Sequence, residues 1–205
     1  RFPRPGETLT GISFSTIPGG KGANQAVALG RLGMPVRMAG CVGDDAFGES
    51  YLRNFAENGV DTSLVRVCKG QTTGTASIEV NAEGENHIIV VPAANGECDM
   101  EWLEEILPAV ADGDLFLLQH EIPLPVVHEA IRRLHAMGKT VILDPAPAAP
   151  MTKLGGGTMG FNLRFWTARE NAKPAEYALL ESIKAAFDRE GIQIPRTQMD
   201  VRMQS

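Results

Sequence analysis

The fold of this chain is decided by the stretch Pro18-Gly19-Gly20-Lys21-Gly22-Ala23-Asn24-Gln25-Ala26. Its glycines allow a sharp backbone turn and the close approach of a ligand. A helix is predicted to follow from about Ala23, so that its free N–H groups and the positive end of its dipole face that ligand. The amide of Asn24 can both donate and accept hydrogen bonds. The stretch therefore predicts a ligand-binding loop, with a tight turn that carries one exposed lysine as the alternative.

The loop differs from the P-loop of nucleotide-binding proteins. In a P-loop the lysine is followed by serine or threonine, whereas Lys21 is followed by Gly22, and the spacing of the glycines also differs. A P-loop is therefore not predicted here.

Composition predicts a globular protein. The 205 residues are 43% hydrophobic and 21% charged, as in average globular domains, and suffice for one domain or for one and a part.

The formal net charge of −6 argues against a nucleic-acid partner, and no apolar run approaches the roughly 20 residues that span a bilayer. The first residues lack the apolar core of a signal peptide, and without an initiator methionine the true start is expected upstream. We therefore expect a cytoplasmic protein with no membrane span.

The three cysteines predict neither a disulfide framework nor a zinc site. Cys41, Cys68 and Cys98 are odd in number and lack any C-x-x-C spacing. They are interpreted as reduced core or surface thiols.

Hydrophobic periodicity predicts strands that alternate with helices. Strands are expected at 12–17, 36–42, 75–80, 87–91, 115–119 and 140–143, and helices at 23–32, 46–58 and 126–137, with a further helix capped by Asp99. Gly84 indicates a turn that joins strands 75–80 and 87–91 into a hairpin. The alternation elsewhere is typical of parallel βαβ units, and so the predicted fold class is α/β.

The glycine-rich stretch resembles the first signature of ribokinases, within the pfkB family of carbohydrate kinases. Further segments follow in the order and rough spacing of that family: 5–11, 43–48, 73–76, 84–86, 119–123 and 144–148. The resemblance covers residues 1 to about 150. It implies a partial, truncated ribokinase-like domain at residues 1–154, with a doubly wound sheet.

In ribokinases, an early strand and a hairpin form a small β lid that covers the sugar and often mediates dimerisation. The resemblance therefore implies that strand 12–17 and the hairpin form such a lid. It also implies a small sugar such as ribose as the ligand and a homodimer that forms through the lid.

Four residues match positions that contact the sugar in ribokinases: Gly20, Lys21, Asn24 and Glu121. Glu121 follows the apolar run 115–118, and ligands of open α/β sheets bind at the carboxyl ends of the strands. A carboxylate there can accept hydrogen bonds from sugar hydroxyls. The alternative role for Glu121 is in the N-cap region of the next helix, because Pro123 follows it.

The resemblance implies ATP and Mg²⁺ as cofactors of the complete enzyme. Ribokinases carry a Gly-Ala-Gly-Asp motif, whose aspartate is the general base and whose glycines hold an anion hole. Neither this motif nor an Asn-x-x-Glu segment follows residue 154, and the family's opening strand is missing as well. The sequence therefore predicts no catalytic residue, a nucleotide site that lies mostly outside this chain, and an inactive fragment.

Other polar residues have simpler interpretations. Asp44 and Asp45 precede a helix and are predicted to cap it, with a metal pair as the alternative. The four histidines are not expected to cluster: His87, His120, His128 and His135. His128 and His135 are seven residues apart on one helix face, which favours a surface position over metal ligation. No metal site is predicted.

The final segment, residues 155–205, resembles a different family. Residues 155–158 are interpreted as a junction, 161–167 and 194–201 as strands, and 173–190 as a helix. Over about residues 158–205, this order with its Gly-Ile-x-Ile-Pro and Gln-x-Asp-Val segments resembles the carboxyl-terminal end of small-conductance mechanosensitive channels. The resemblance implies a channel-like αβ tail, and the alternative is an ordinary αβ tail of an aberrant kinase.

Two functions from different classes follow from these resemblances. The first is a ribokinase-like carbohydrate kinase that phosphorylates a pentose such as ribose with ATP. The alternative is a non-catalytic interaction segment, the cytoplasmic carboxyl-terminal part of a mechanosensitive channel in a chimeric chain. We adopt the first as the family assignment, because its resemblance covers about three quarters of the sequence.

Overall fold

The computed structural model of the protein describes residues 1–149 and residue 189. The chain divides into two units, Arg1–Gly157 and Thr158–Ser205. Arg189, within the predicted helix 173–190, is helical and exposed. The remaining predictions for the junction and the tail lie outside the described residues.

A parallel βαβ unit forms the first part of the described unit. Helix α1 (Lys21–Arg31) precedes strand β1 (Val36–Gly43), which leads through helix α2 (Ala46–Glu57) into strand β2 (Val60–Cys68). Strands β1 and β2 pair in parallel. The predictions for β1 and α2 are confirmed to within one residue at each end.

A second parallel unit follows the hairpin. Helix α3 (Met100–Ile106) begins where the Asp99 carboxylate accepts a hydrogen bond from the Trp102 N–H at 2.8 Å, so the predicted cap is confirmed. Strand β5 (Leu115–Gln119), helix α4 (Leu124–Ala136) and strand β6 (Thr140–Asp144) then form the unit, with β5 and β6 parallel.

The hairpin between these units is confirmed. Strands β3 (Thr75–Val80) and β4 (Asn86–Val91) pair in antiparallel register, and Gly84 in the turn has a positive φ of 82°. All twelve strand residues are exposed. The hairpin therefore forms a two-stranded sheet of its own that is not buried in the core.

The predicted strand at 12–17 is wrong. These residues adopt no regular secondary structure, and Ile12, Phe14 and Ile17 are at least 80% exposed. Their alternating apolar pattern is that of a strand, but a strand needs a neighbour to satisfy its backbone groups. In the described part of the chain, β3 and β4 pair with each other and not with this segment. The predicted three-stranded lid is thus reduced to a hairpin.

Two apolar clusters form the core of the part of the chain that the structure describes. The larger brings together buried residues from β1, β2, α3 and α4, including Cys41, Trp102 and Leu134. The smaller packs Ala26 of α1 against Phe55 and Val60. Each large side chain that becomes fully buried contributes about 1.5–3 kcal/mol, and so these clusters hold the helices on the sheets.

The α/β fold class, with parallel strands that alternate with helices, is confirmed. No helix in the described residues is long and apolar enough to cross a membrane.

Candidate functional site

The glycine-rich loop adopts a conformation that favours glycine. Gly20 has φ 87° and ψ 143°, a combination that strains any residue with a Cβ atom. Helix α1 begins directly after it, at Lys21, two residues before the predicted start at Ala23. The Asn24 N–H donates to the Gly20 carbonyl oxygen at 2.9 Å. The loop therefore delivers the chain straight into the first turn of the helix.

Glu121 binds this helix start with both of its carboxylate oxygens. Its Oε2 accepts a hydrogen bond from the Lys21 backbone N–H at 2.7 Å, and its Oε1 accepts one from the Lys21 Nζ at 2.6 Å. About a third of each side chain remains exposed, 37% for Lys21 and 32% for Glu121. The carboxylate thus satisfies one of the free N–H groups of α1 and stays accessible to solvent.

Glu121 lies two residues before the N-cap of the helix that follows it, but its carboxylate binds the start of α1. Pro123 is the N-cap of α4, and its own side chain makes no capping hydrogen bond. Glu121 instead lies just beyond the carboxyl end of β5 and caps α1, a hundred residues earlier in the chain. The predicted position at the carboxyl end of a strand is confirmed.

The structure brings together three of the four predicted site residues. Gly20, Lys21 and Glu121 meet, and a Cβ atom on Gly20 would lie 3.6 Å from the Glu121 Oε2. Asn24 lies in the first turn of α1 with an exposed side chain. The resulting site offers an ammonium group and a carboxylate at one sheet edge, and the exposed amide of Asn24 lies in the same helical turn as Lys21. These groups are donors and acceptors of the kind that suit a polyhydroxylated ligand.

Four further polar residues around the loop are absent from the sequence-based prediction. The Tyr51 hydroxyl accepts from the Gly19 N–H at 2.9 Å and donates to the Gly19 carbonyl oxygen at 3.1 Å, and so anchors the loop to α2. Gln25, Gln119 and Asp144 form a hydrogen-bonded series beside Lys21. Gln119 and Asp144 each end a parallel strand, a position that could have identified them as candidates.

Asp45 caps a helix, as predicted. It is the N-cap of α2, and its carboxylate accepts from the Gly48 N–H at 2.8 Å. The same carboxylate accepts from the Thr73 hydroxyl and backbone N–H. The hydrogen bond from the Thr73 hydroxyl is the main cause that lowers the pKa of Asp45. Asp44 accepts from the Gly70 N–H at 3.0 Å.

The expectation that the histidines do not cluster is wrong for one pair. The rings of His120 and His128 meet edge to face, with centroids 6.4 Å apart. His120 is only 6% exposed, and its Nδ1 lies 3.1 Å from the Pro147 carbonyl oxygen. The two residues approach because α4 begins four residues after His120 and packs back against β5 and β6.

The cysteines meet in the core as free thiols. Cys41, Cys68 and Cys98 are all buried. A hydrogen bond with the Cys98 thiol is the main cause that raises the pKa of Cys41, and burial raises the pKa of Cys68 to about 11. Protonated, buried thiols are unreactive at neutral pH, which fits their interpretation as reduced core residues.

The glycine-rich loop and the Glu121 carboxylate meet at the carboxyl edge of parallel strands, which is the edge at which open α/β sheets bind their ligands. The family model of pfkB family carbohydrate kinases matches residues 1–156. This chain belongs to the pfkB family of carbohydrate kinases.

Individual relatives support the same assignment. The ribokinase of Bacillus subtilis is 45% identical over 149 residues, which cover 73% of this chain and 50% of the relative. The solved ribokinase of Thermotoga maritima has 35% identity and a TM-score of 0.66, covering 74% of this chain and 49% of that one. The ribokinase of Arabidopsis thaliana, solved in a complex with ribose and ATP, has 32% identity and a TM-score of 0.62, covering 71% and 48%. The chain spans about half the length of the curated relatives it matches.

A second family model matches the later part of the chain. The carboxyl-terminal domain of the mechanosensitive ion channel MscS matches residues 122–194. The predicted resemblance to this channel family is confirmed, but it begins before residue 158 and ends before residue 205. The two matches share residues 122–156, which include α4 and β6.

Proposed function

We propose that residues 1–154 form the sugar-binding part of a ribokinase-like carbohydrate kinase and bind a pentose such as ribose. The observation that carries the proposal is the contact of Glu121 with both the backbone and the side chain of Lys21. This contact places a carboxylate beside the glycine-rich loop at the edge where α/β sheets bind ligands.

Each residue of the site has a role that follows from its chemistry. The Lys21 ammonium group donates to sugar oxygens, and the Glu121 carboxylate accepts from hydroxyl groups through its remaining lone pairs. Asn24 both donates and accepts, and its exposed amide can reach a ligand over the helix start. Gly20 provides the backbone turn that keeps Lys21 and Glu121 in contact.

In a complete enzyme of the family, ATP with Mg²⁺ supplies the phosphoryl group. No group of three acidic, histidine or cysteine side chains that could hold a metal ion by itself occurs among the described residues. We therefore assign none of the described residues to Mg²⁺.

We further propose that the 205 residues by themselves do not phosphorylate a sugar. Phosphoryl transfer depends on positioning and on stabilisation of the developing charge, and the sequence contains no Gly-Ala-Gly-Asp motif to supply them. Purified protein should bind ribose in calorimetry, and Asn24→Ala should weaken that binding. With MgATP present, turnover in the usual kinase range of roughly 1–100 s⁻¹ would contradict the proposed inactivity. Absence of ribose binding would contradict the proposed sugar site.

The hairpin supports a homodimer that forms through the lid. The antiparallel register places Ile78 opposite Ile88 and Ala76 opposite Val90, so these residues share one face with Val80. Each of the four larger side chains on this face is at least 52% exposed. An exposed apolar face of this kind is typical of an interaction surface.

An interaction segment of channel type is the alternative function, and the family match over residues 122–194 is the observation that favours it. Light scattering distinguishes the two. A dimer that a polar substitution on the hairpin face dissociates supports the kinase-like lid. A larger assembly that the same substitution leaves intact supports the channel-like segment. For both functions we propose a cytoplasmic location.

A further inference from the structure

Three polar side chains form a continuous series at the carboxyl edge of β5 and β6. The Gln119 Nε2 donates to the Gln25 Oε1 at 2.6 Å, and the Gln25 Nε2 donates to the Asp144 Oδ2 at 3.2 Å. All three side chains are half-buried. Gln119 is the last residue of β5, Asp144 is the last residue of β6, and Gln25 lies in α1. The series therefore joins the helix to both strands.

The direction of the hydrogen bonds is fixed by chemistry. The Asp144 carboxylate can only accept, and so the Gln25 amide must turn its nitrogen toward Asp144 and its oxygen toward Gln119. The opposite orientation of Gln25 would place its amide oxygen against the Asp144 carboxylate and its NH₂ group against the NH₂ group of Gln119. Gln25 is thus held in one orientation by partners on two different strands.

The series is coupled to the sugar site through the helix. Gln25 lies four residues after Lys21, on the same face of α1, and Gln119 lies two residues before Glu121. The first turn also packs directly on Gln119, because a Cβ atom on Gly22 would lie 2.7 Å from the Gln119 Oε1. A change in this series would rotate or lift the helix turn that carries Lys21 and the exposed Asn24.

We infer that Gln25, Gln119 and Asp144 are positioning residues, which hold the first turn of α1 in its position at the sheet edge. Through that position they determine the affinity for the sugar. The inference rests on the proposed sugar site. None of the three residues needs to touch the sugar in this role, since they act through Lys21 and Asn24.

Substitutions that reverse the hydrogen bonds test the inference in the full chain. Gln25→Glu places two carboxylates against each other and should weaken ribose binding about tenfold, the factor expected for the loss of one hydrogen bond. Asp144→Asn keeps an acceptor for Gln25 and should stay within about threefold of wild type. The double variant Gln25→Glu with Asp144→Asn restores the bond with donor and acceptor exchanged, and should also recover affinity to within about threefold.

Hydrogen exchange at the Lys21 and Asn24 amides provides a second readout. Both amides should exchange about tenfold faster in Gln25→Glu and return to the wild-type rate in the double variant. The matched control is Gln71→Glu, which makes the same change at an exposed hydrogen bond to Glu97 and should alter neither readout. Calorimetry and thermal unfolding by circular dichroism confirm that each variant is folded.

The outcomes separate the inference from the proposed function. If wild-type protein binds ribose and Gln25→Glu binds it equally well, the positioning role is overturned. The role is also overturned if Asp144→Asn alone weakens binding tenfold, because Asp144 would then contribute its charge directly. If wild-type protein binds no ribose, the proposed function fails, and the exchange rates alone support or overturn the positioning role.

Discussion

Replacement of Glu121 by alanine removes both acceptors that hold the start of α1. The Lys21 N–H and the Lys21 Nζ lose partners at 2.7 and 2.6 Å. About a third of each side chain is exposed, so water compensates part of the loss, and the ion pair contributes only about 0.2–1 kcal/mol to stability. Sugar binding at the proposed site should be more sensitive, because a sugar hydroxyl there would lose its charged acceptor, a loss that costs about 1–3 kcal/mol.

This cost corresponds to roughly 5- to 150-fold weaker binding of ribose. Isothermal titration calorimetry of the wild-type protein and Glu121→Ala measures the two dissociation constants. Glu105→Ala is the matched control. Glu105 lies on α3, outside the loop, and its replacement removes a surface ion pair with Arg66 of β2, so the affinity should stay unchanged. Equal affinity in Glu121→Ala and wild type would refute the assignment of Glu121 to the sugar site and leave it a structural cap of α1.

Three further predictions concern the hairpin, the core and the response to acid. Ile88→Lys places a charge on the apolar face of the hairpin, and should convert a dimer to a monomer in light scattering; an unchanged dimer mass would exclude this face as the interface. Gly48→Ala brings a Cβ atom to 2.1 Å from the carbonyl oxygen that ends β1, and should lower the free energy of unfolding by about 1–3 kcal/mol in urea titration. The control Gly96→Ala, whose Cβ atom meets nothing within 4 Å, should stay within about 0.5 kcal/mol of wild type. A hydrogen bond from the Thr73 hydroxyl is the chief cause that lowers the pKa of Asp45 in the folded protein. The ionised form of Asp45 therefore stabilises the fold, and this stabilisation is fully present above the unfolded pKa of about 3.9. It is lost as the pH falls through the lower pKa of the folded state. Asp45→Asn should therefore destabilise the protein at pH 6 and much less at pH 3; an equal loss of stability at both values would contradict the linkage.

The spacing of apolar residues predicts most of the helices and strands, because in these elements it follows the helix or strand period clearly. Strand β2 is missing from the prediction because Asp61, Ser63 and Arg66 interrupt its apolar residues. Its polar positions are tolerated because β2 forms one side of a sheet in which pairing with β1 supplies the backbone hydrogen bonds. The segment 12–17 shows the opposite case, since its strand pattern lacks a neighbouring strand in the described part of the chain.

The sequence predicts those residues of the candidate site whose type and position indicate a chemical role. Lys21 and Glu121 follow from the glycine-rich loop and from the carboxyl end of a strand, and the structure brings them together. The pairing itself joins residues a hundred positions apart and has no local signal. The same is true of Gln25 with Asp144, because two ordinary polar residues become informative only once the fold places them in contact.

The central claim is that the glycine-rich loop and Glu121 form one sugar site. The backbone amide of Lys21 is a direct probe of this site, because it donates a hydrogen bond to the Glu121 carboxylate. A titration of ¹⁵N-labelled protein with ribose, followed by heteronuclear NMR, measures this amide together with those of Gly20, Asn24 and Glu121. The account predicts that these four amide signals shift and saturate together, while the amide of Ile88 in the hairpin shifts little. Saturable shifts confined to other parts of the chain, or no shifts up to high ribose concentration, would contradict it.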